Sequence, residues 1–154
     1  MKQSAGLLLY KFVDKTVFFF LVHPGGPFWK NKDLESWSIP KGEFTNDEEP
    51  LDAAIREFKE ETGFEADGDF IKLEHVKLKS GKIVYAWAVD FDLDETLIKS
   101  NTFEMEWPPK SGKLQSFPEV DKGKWFQTDE ALKKINPAQA DFIVQMISKI
   151  SATL

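Results

Sequence analysis

Two apolar runs open the chain, SAGLLLYKFV (residues 4–13) and TVFFFLVH (16–23), meeting at Asp-Lys-Thr. Their length, branched and aromatic content and short polar break predict two strands with a tight connection. The following PGGPFWKNKDLES (24–36) has the glycine and proline content of a loop, and WSI (37–39) reads as a short strand. Further on, FIKLEHVKLKSGKIVYAWAVDFD (70–92) predicts two strands joined at KSGK. NTFEMEW (101–107) predicts another before the loop PPKSGKLQSFPE (108–119), and KWFQ (124–127) a last short strand. Two helices close the chain, from 129 to about 135 and from 137 to about 150. Asn136 is placed as N-cap of the second, with Pro137 at its first position and Gln139 three residues after the cap.

Between these strands lies a helix of different character. Pro50 suits its first turn, Gly63 is a natural stop, and no breaker separates them. At about 100° per residue, Leu51, Ile55, Phe58 and Thr62 share one side, while Glu57, Glu60 and Glu61 gather on the other with Arg56 at the margin beside Glu60. Asp47, Glu48, Glu49, Asp52 and those three glutamates are opposed in this stretch by Arg56 and Lys59 alone. Like charges three or four apart cost a helix about 0.2 to 0.5 kcal/mol per pair. A solvated acidic face tolerates that cost; a bound cation would offset it.

Length and composition narrow the possibilities. The 154 residues form one domain, 1–154, large enough to bury a core without disulfides or structural metal, and no internal repeat or linker divides it. The net charge of -6 lacks the basic footprint of a general nucleic-acid binder, so an anionic substrate would need cations to mediate. With no Cys, disulfides and thiolate zinc sites are excluded, and His23 and His75 are too few for a His-rich metal site. No run has the length of a membrane span or a signal core, so a cytoplasmic protein with no membrane partner is expected. Aromatics make up 14% of the chain, enough for some to line a ligand site as well as the core.

The spacing of Gly42, Glu48, Arg56, Glu57, Glu60, Glu61 and Gly63 resembles the Nudix box, G-x5-E-x7-R-E-U-x-E-E-x-G-U with U a bulky apolar residue. All seven fixed polar or glycine positions match. Phe58 and Phe64 stand where the family usually has aliphatic residues, which keeps the apolar role. KWFQTDEAL is similar to the family's closing strand and helix, so the resemblance covers nearly the whole chain. It implies an α/β fold, the Nudix α/β/α sandwich with a mixed sheet, and hydrolysis of a phosphoanhydride. That reaction gathers negative charge on phosphates, attacking water and leaving oxygen, and hard divalent cations held by oxygen ligands neutralise it. The resemblance implies Mg²⁺ or Mn²⁺ as cofactor, with Glu57, Glu60, Glu61 and the Gly42 carbonyl as ligands. Glu60 and Glu57 are thereby candidate catalytic residues, Arg56 orients a box glutamate, Glu48 braces loop and helix by a salt bridge, and Gly63 is structural.

WSIPKG (37–42) resembles the Trp-x-x-Pro-Lys-Gly segment of Nudix branches acting on dinucleoside polyphosphates or diphosphoinositol phosphates. Lys41 is accordingly placed on a distal phosphate, against the alternative of a surface lysine beside a turn. In the 24–36 loop, Phe28 or Trp29 would stack on a base and Lys30 or Lys32 meet phosphate, the alternative being a Gly-Pro turn with buried aromatics. Glu104 and Glu106 alternate along a strand and share a face, as a further metal ligand or general base or simply as solvent-facing residues; Glu119 is a weaker candidate of the same kind. His23 is expected as a polar turn residue.

The expected protein is a divalent-metal-dependent Nudix pyrophosphohydrolase acting on a nucleoside diphosphate linked to another group, with dinucleoside polyphosphates first. Alternatives are a diphosphoinositol phosphate or NTP pyrophosphohydrolase, and a non-catalytic nucleotide-binding Nudix module. An RNA 5′-end hydrolase would need a local patch such as Lys77, Lys79 and Lys82 and is disfavoured by the net charge. The pattern specifies no oligomeric state.

Overall fold

Asp14 and Lys15 both adopt positive φ, 49° and 70°. Two such residues in a two-residue connection match the right-handed twist of the flanking strands. They fold β1 (Gln3–Val13) back on β2 (Thr16–Pro24), pairing Leu9 with Phe20 and Val13 with Thr16. The computed structural model describes residues 2–152.

After β2 the chain forms β3 (Lys41–Phe44), α1 (Pro50–Thr62), β4 (Ile71–Lys72), β5 (Val76–Lys77) and β6 (Ile83–Asp90). β7 (Thr102–Glu106), β8 (Leu114–Pro118), β9 (Val120–Gln127), α2 (Thr128–Lys134) and α3 (Ala140–Ala152) follow. The main sheet has the order β4-β6-β1-β2-β9, with β3 added to β1 and β5 to β6, while β7 and β8 form a separate two-stranded sheet. β1 and β6 run parallel and the other pairs antiparallel, so this is an α/β fold with a mixed sheet.

The apolar runs of β1 and β2 are continuous because both faces of these strands are covered. Leu7, Leu9, Phe20 and Val22 pack with Ala53, Ala54 and Phe58 of α1. Leu8, Phe19 and Leu21 point the other way, onto Ala131 of α2 and Phe142, Ile143 and Met146 of α3. Helices therefore lie on both faces of the sheet. Among the described residues, no helix is long and apolar enough to cross a membrane.

Several local expectations change. WSI makes only isolated bridges, Ser38 with Val22 and Trp37 with Ile135; the strand here is β3, two residues further on. The first strand of 70–92 is split into β4 and β5, although Leu73 still donates to the Ala86 carbonyl at 3.0 Å. The 108–119 loop contains β8, which supplies β7 with its hydrogen-bonding partner. The last helix begins with a 3-10 turn at Pro137–Gln139, where the Asn136 side chain accepts from Ala138 N–H. Gln139 is 2% exposed and turns away from that cap, its Oε1 accepting from Ile39 N–H at 3.0 Å. At the outer edge of β9, Trp125 donates its backbone N–H to Glu95 and its indole N–H to the Leu93 carbonyl.

One irregularity shapes the rest. One edge of β1 is shared: residues 9–13 pair with β2 and Gln3 to Gly6 with β3. Between them Leu7 N–H bonds to the Pro40 carbonyl at 3.1 Å, while Ser38 exchanges hydrogen bonds with Val22. The segment 37–44 thus enters a split between β1 and β2, and Gly6 is where the two backbones meet. A Cβ at Gly6 would lie 2.4 Å from the Pro40 carbonyl oxygen, an atom fixed in main chain. Gly6→Ala is expected to cost about 1 to 3 kcal/mol, read as a lower urea midpoint with the circular dichroism spectrum retained.

Candidate active site

The carboxylates of α1 are placed by β3. Gly63 ends the helix at φ 83°, its N–H on the Lys59 carbonyl at 2.8 Å. On the preceding turns Glu57 is buried at 8% exposure and Glu61 is partly buried, so these two do not stand on an open surface. Lys41 N–H donates to Glu61 Oε1 at 3.2 Å. Next to it, a Cβ on Gly42 would lie 2.0 Å from a Glu57 carboxylate oxygen. Glycine at 42 is therefore what lets the Glu57 carboxylate lie against the β3 main chain.

Arg56 organises the exposed side. Its Nε and Nη2 grip the two oxygens of Glu48, each at 2.8 Å, and its Nη1 reaches Glu57 Oε1 at 2.8 Å and both Glu60 oxygens at 3.2 Å. Such forked, charge-assisted bonds fix the plane of the guanidinium as well as its position. The Arg56 hydrogen bonds hold the Glu48 carboxyl below its ordinary range.

The remaining carboxylates are crowded. Burial, then the charges of Glu57 and Glu119, push Glu61 up to about 8. Glu57 is also raised, by burial first and by Glu60 and Glu119, against the lowering effect of Arg56. Glu119 is raised by burial and by Glu60. Lys41 is lowered by burial and by Lys82, with Glu61, Glu43 and Glu57 opposing. Glu119 thus belongs to the cluster, although it stands between β8 and β9 and far from α1 in sequence. Its N–H donates to the Asn101 carbonyl at 2.8 Å and its carbonyl accepts from Gly25 N–H at 2.9 Å.

A cavity of about 230 Å³ adjoins the cluster. Lys41, Glu61, Glu119 and Trp29 line it, together with Ser36, Ser38, Asn136 and Gln139. Sequence reasoning missed the last four as site residues. The cap signal at Asn136 was readable, but nothing local says that the helix start meets a cavity. Other candidates lie elsewhere. Glu104 and Glu106 are exposed on β7 in the small sheet, Glu106 accepting from Lys110 N–H at 2.7 Å, and neither is among the charges that shift the cluster. Phe28 is exposed and packs edge-on against Trp107 at 5.7 Å, and Lys30 is exposed outside the cavity lining. Lys32 lies over the Trp29 ring at 5.2 Å. Of the Lys77, Lys79 and Lys82 patch, Lys82 is paired with Glu43 at 2.9 Å. His23, expected in a turn, is buried in β2.

The donor set suits a hard divalent cation: carboxylates and a main-chain carbonyl, with no thiol in the chain. Among the described residues, no three acidic or imidazole groups form a ready-made cage, since Arg56 bridges Glu57 and Glu60. The Glu57, Glu61 and Glu119 carboxyls are raised because their ionised forms lack compensation here, and a bound cation would supply it.

The NUDIX domain family matches residues 2–146, and the chain belongs to that family. A probable DHNTP pyrophosphohydrolase of Lactococcus lactis subsp. cremoris is 38% identical over 96 residues, covering 62% of this chain and 45% of that protein, so the match spans less than half of the relative. The fold is similar to a C. elegans Ap4A hydrolase in a binary complex, with 21% identity, full coverage of both chains and a TM-score of 0.64. It is also similar to the NUDIX domain of Shewanella oneidensis NrtR complexed with ADP ribose, with 15% identity, 96% and 87% coverage and a TM-score of 0.65.

The raised Glu61 carboxyl makes stability depend on pH. Unfolded, the carboxyl ionises near 4.5; folded, near about 8. The unfolded chain gives up this proton first, so in a chelating buffer stability falls as pH rises through that interval. Melting temperature against pH is expected to show the decline in the wild type, a flatter profile in Glu61→Gln, and partial recovery when a divalent cation is added to the wild type.

Proposed function

We propose that this Nudix domain is a divalent-metal-dependent pyrophosphohydrolase that cleaves a phosphoanhydride within a nucleoside diphosphate linked to another group. The observation that carries the reading is the meeting of Glu57, Glu60, Glu61 and Glu119 beside a cavity that also holds Lys41 and Trp29. Glu57, Glu60 and Glu61, with the Gly42 carbonyl, would hold Mg²⁺ or Mn²⁺. When bound, the cation neutralises charge building on the phosphates and lowers the proton affinity of water.

The chain's own groups do the rest. Arg56 keeps Glu57 and Glu60 aligned, and Glu48 keeps Arg56 aligned. Glu119 takes the proton of the attacking water, its raised carboxyl being nearer the working pH than an ordinary glutamate. Lys41, partly desolvated in the cavity, pairs with a substrate phosphate, and Trp29 offers a flat face to a base. In this assignment Glu119 replaces Glu104 and Glu106 as the downstream acid, and Phe28 and Lys30 have no substrate role.

Dinucleoside polyphosphates are the first substrate class, supported by the WSIPKG segment and by the full-length likeness in fold to an Ap4A hydrolase. A second reading, pyrophosphohydrolysis of a triphosphate such as an NTP, is favoured by the 38% identical DHNTP pyrophosphohydrolase relative. A phosphate-release screen with Mg²⁺ and Mn²⁺ over dinucleoside polyphosphates, NTPs, ADP-ribose and diphosphoinositol phosphates separates them by the products formed. Binding without turnover of any of these would instead identify a nucleotide-binding module. Glu60→Gln is expected to lower kcat by at least about a hundredfold with the fold intact. Glu119→Gln is expected to lower it about 10²- to 10⁴-fold with little change in KM; wild-type rates in either variant would remove that residue from the mechanism.

A further inference from the structure

One buried ionisable side chain is unused by this mechanism. His23 is 1% exposed near the end of β2, its ring edge-on to Trp37 with centroids 5.2 Å apart. Its Nδ1 lies 2.9 Å from an Asp121 carboxylate oxygen and its Nε2 2.6 Å from the Lys32 carbonyl oxygen. A carbonyl oxygen can only accept a hydrogen bond, and so can an ionised carboxylate. The Asp121 side chain is 33% exposed, so water helps to support its charge. A neutral imidazole has one N–H and one lone pair, which satisfies one of these acceptors and sets lone pair against lone pair at the other. Only the imidazolium donates to both.

We infer that His23 is a positioning residue, held as imidazolium, that clamps together two walls of the cavity read above as the substrate site. One wall is the loop carrying Trp29. Lys32 lies three residues beyond Trp29, bonds to its carbonyl through a backbone N–H at 3.0 Å, and offers its own carbonyl to His23. The other wall is the β8–β9 connection carrying Glu119, with Asp121 two residues further on in β9. His23 sits where the β2–β9 register shifts, between His23 and Pro24. The ring therefore joins loop and strand just where their direct pairing becomes irregular.

The other charges around the ring are accounted for. Lys122 is the cross-strand partner of His23, and its ammonium lies over the Trp37 ring at 5.6 Å. Asp33, on the loop, accepts from the Trp37 indole at 2.8 Å and pairs with Lys134 of α2. Asp121 is the carboxylate in contact with the ring. When the imidazolium loses a proton, the remaining N–H stays on charged Asp121, the stronger acceptor, and a lone pair then faces the Lys32 carbonyl. The Trp29 loop is released, so substrate affinity falls as pH rises, while turnover of bound substrate changes less.

The test uses the full chain. Nitrogen-15 spectra of the His23 ring and backbone amide spectra of Trp29 and Lys32 are followed across a pH series, alongside kcat and KM for Ap4A with Mg²⁺. At the pH of lowest KM both ring nitrogens are expected to carry protons, and the Trp29 and Lys32 amides and KM are expected to move together with the ring titration. Asp121→Asn keeps an acceptor but removes the charge, and should shift all three to lower pH. His23→Gln should raise KM about ten- to a hundredfold, the loss of one charge-assisted hydrogen bond, and remove the pH dependence of KM. A ring with one bare nitrogen at the pH of lowest KM, or amides indifferent to the ring's titration, overturns the inference. If Ap4A is not cleaved, the substrate reading fails, and the ring and amide spectra still decide the clamp.

Discussion

The acidic side of α1 depends on a single guanidinium. Arg56 faces three carboxylates at once: a two-pronged grip on Glu48 sets its plane, and the remaining nitrogen is thereby aimed at Glu57 and Glu60. A lysine ammonium has no plane to set and no second prong, so it would neutralise charge without fixing direction. The order of these contacts matters. Glu48 precedes the helix and ties the incoming loop to it, so the glutamates proposed as cation ligands are aligned by a residue outside that proposed set.

A second constraint comes from the main chain. The edge of β1 is divided between β2 and β3, and the segment entering the split brings Lys41 and Gly42 against Glu61 and Glu57. Glycine at 6 permits the close crossing and glycine at 42 the close carboxylate. Each is dictated by what a Cβ would strike, without appeal to flexibility. Charge and packing are thus solved together: the carboxylates are half withdrawn from water because β3 lies beneath them, and their proton affinities rise for the same reason.

What was legible in the sequence follows from distance along the chain. The box helix, its stop at Gly63 and the gathering of Glu57, Glu60 and Glu61 are set by 3.6-residue periodicity, which any local reading recovers. Glu119 lies more than one strand-and-hairpin unit away, and it reaches the cluster through the β2–β9 pairing and its hydrogen bonds to Gly25 and Asn101. Glu104 and Glu106 illustrate the converse. Their alternation correctly indicated a strand, but alternation cannot say which sheet the strand joins, and β7 pairs with β8 outside the main sheet. β3 was hidden because Lys-Gly-Glu-Phe has no strand signature of its own and is extended only because β1 offers it an edge. His23 looked like a turn residue from its glycine- and proline-rich neighbours, whereas burial and its two acceptors come from residues 9 and 98 positions away.

The outer border of β9 has a consequence for sheet growth. A terminal strand with free N–H and C=O groups is a template on which another copy can add a strand, and proteins that avoid this blunt the border with charge or cover. Here the Trp125 N–H is occupied by the Glu95 carboxylate, the indole is tied to Leu93, and Lys122 and Lys124 lie on the same strand. An approaching strand would have to displace that carboxylate from the Trp125 N–H. The sheet therefore carries its own termination at the strand that leads out of the Glu119 corner.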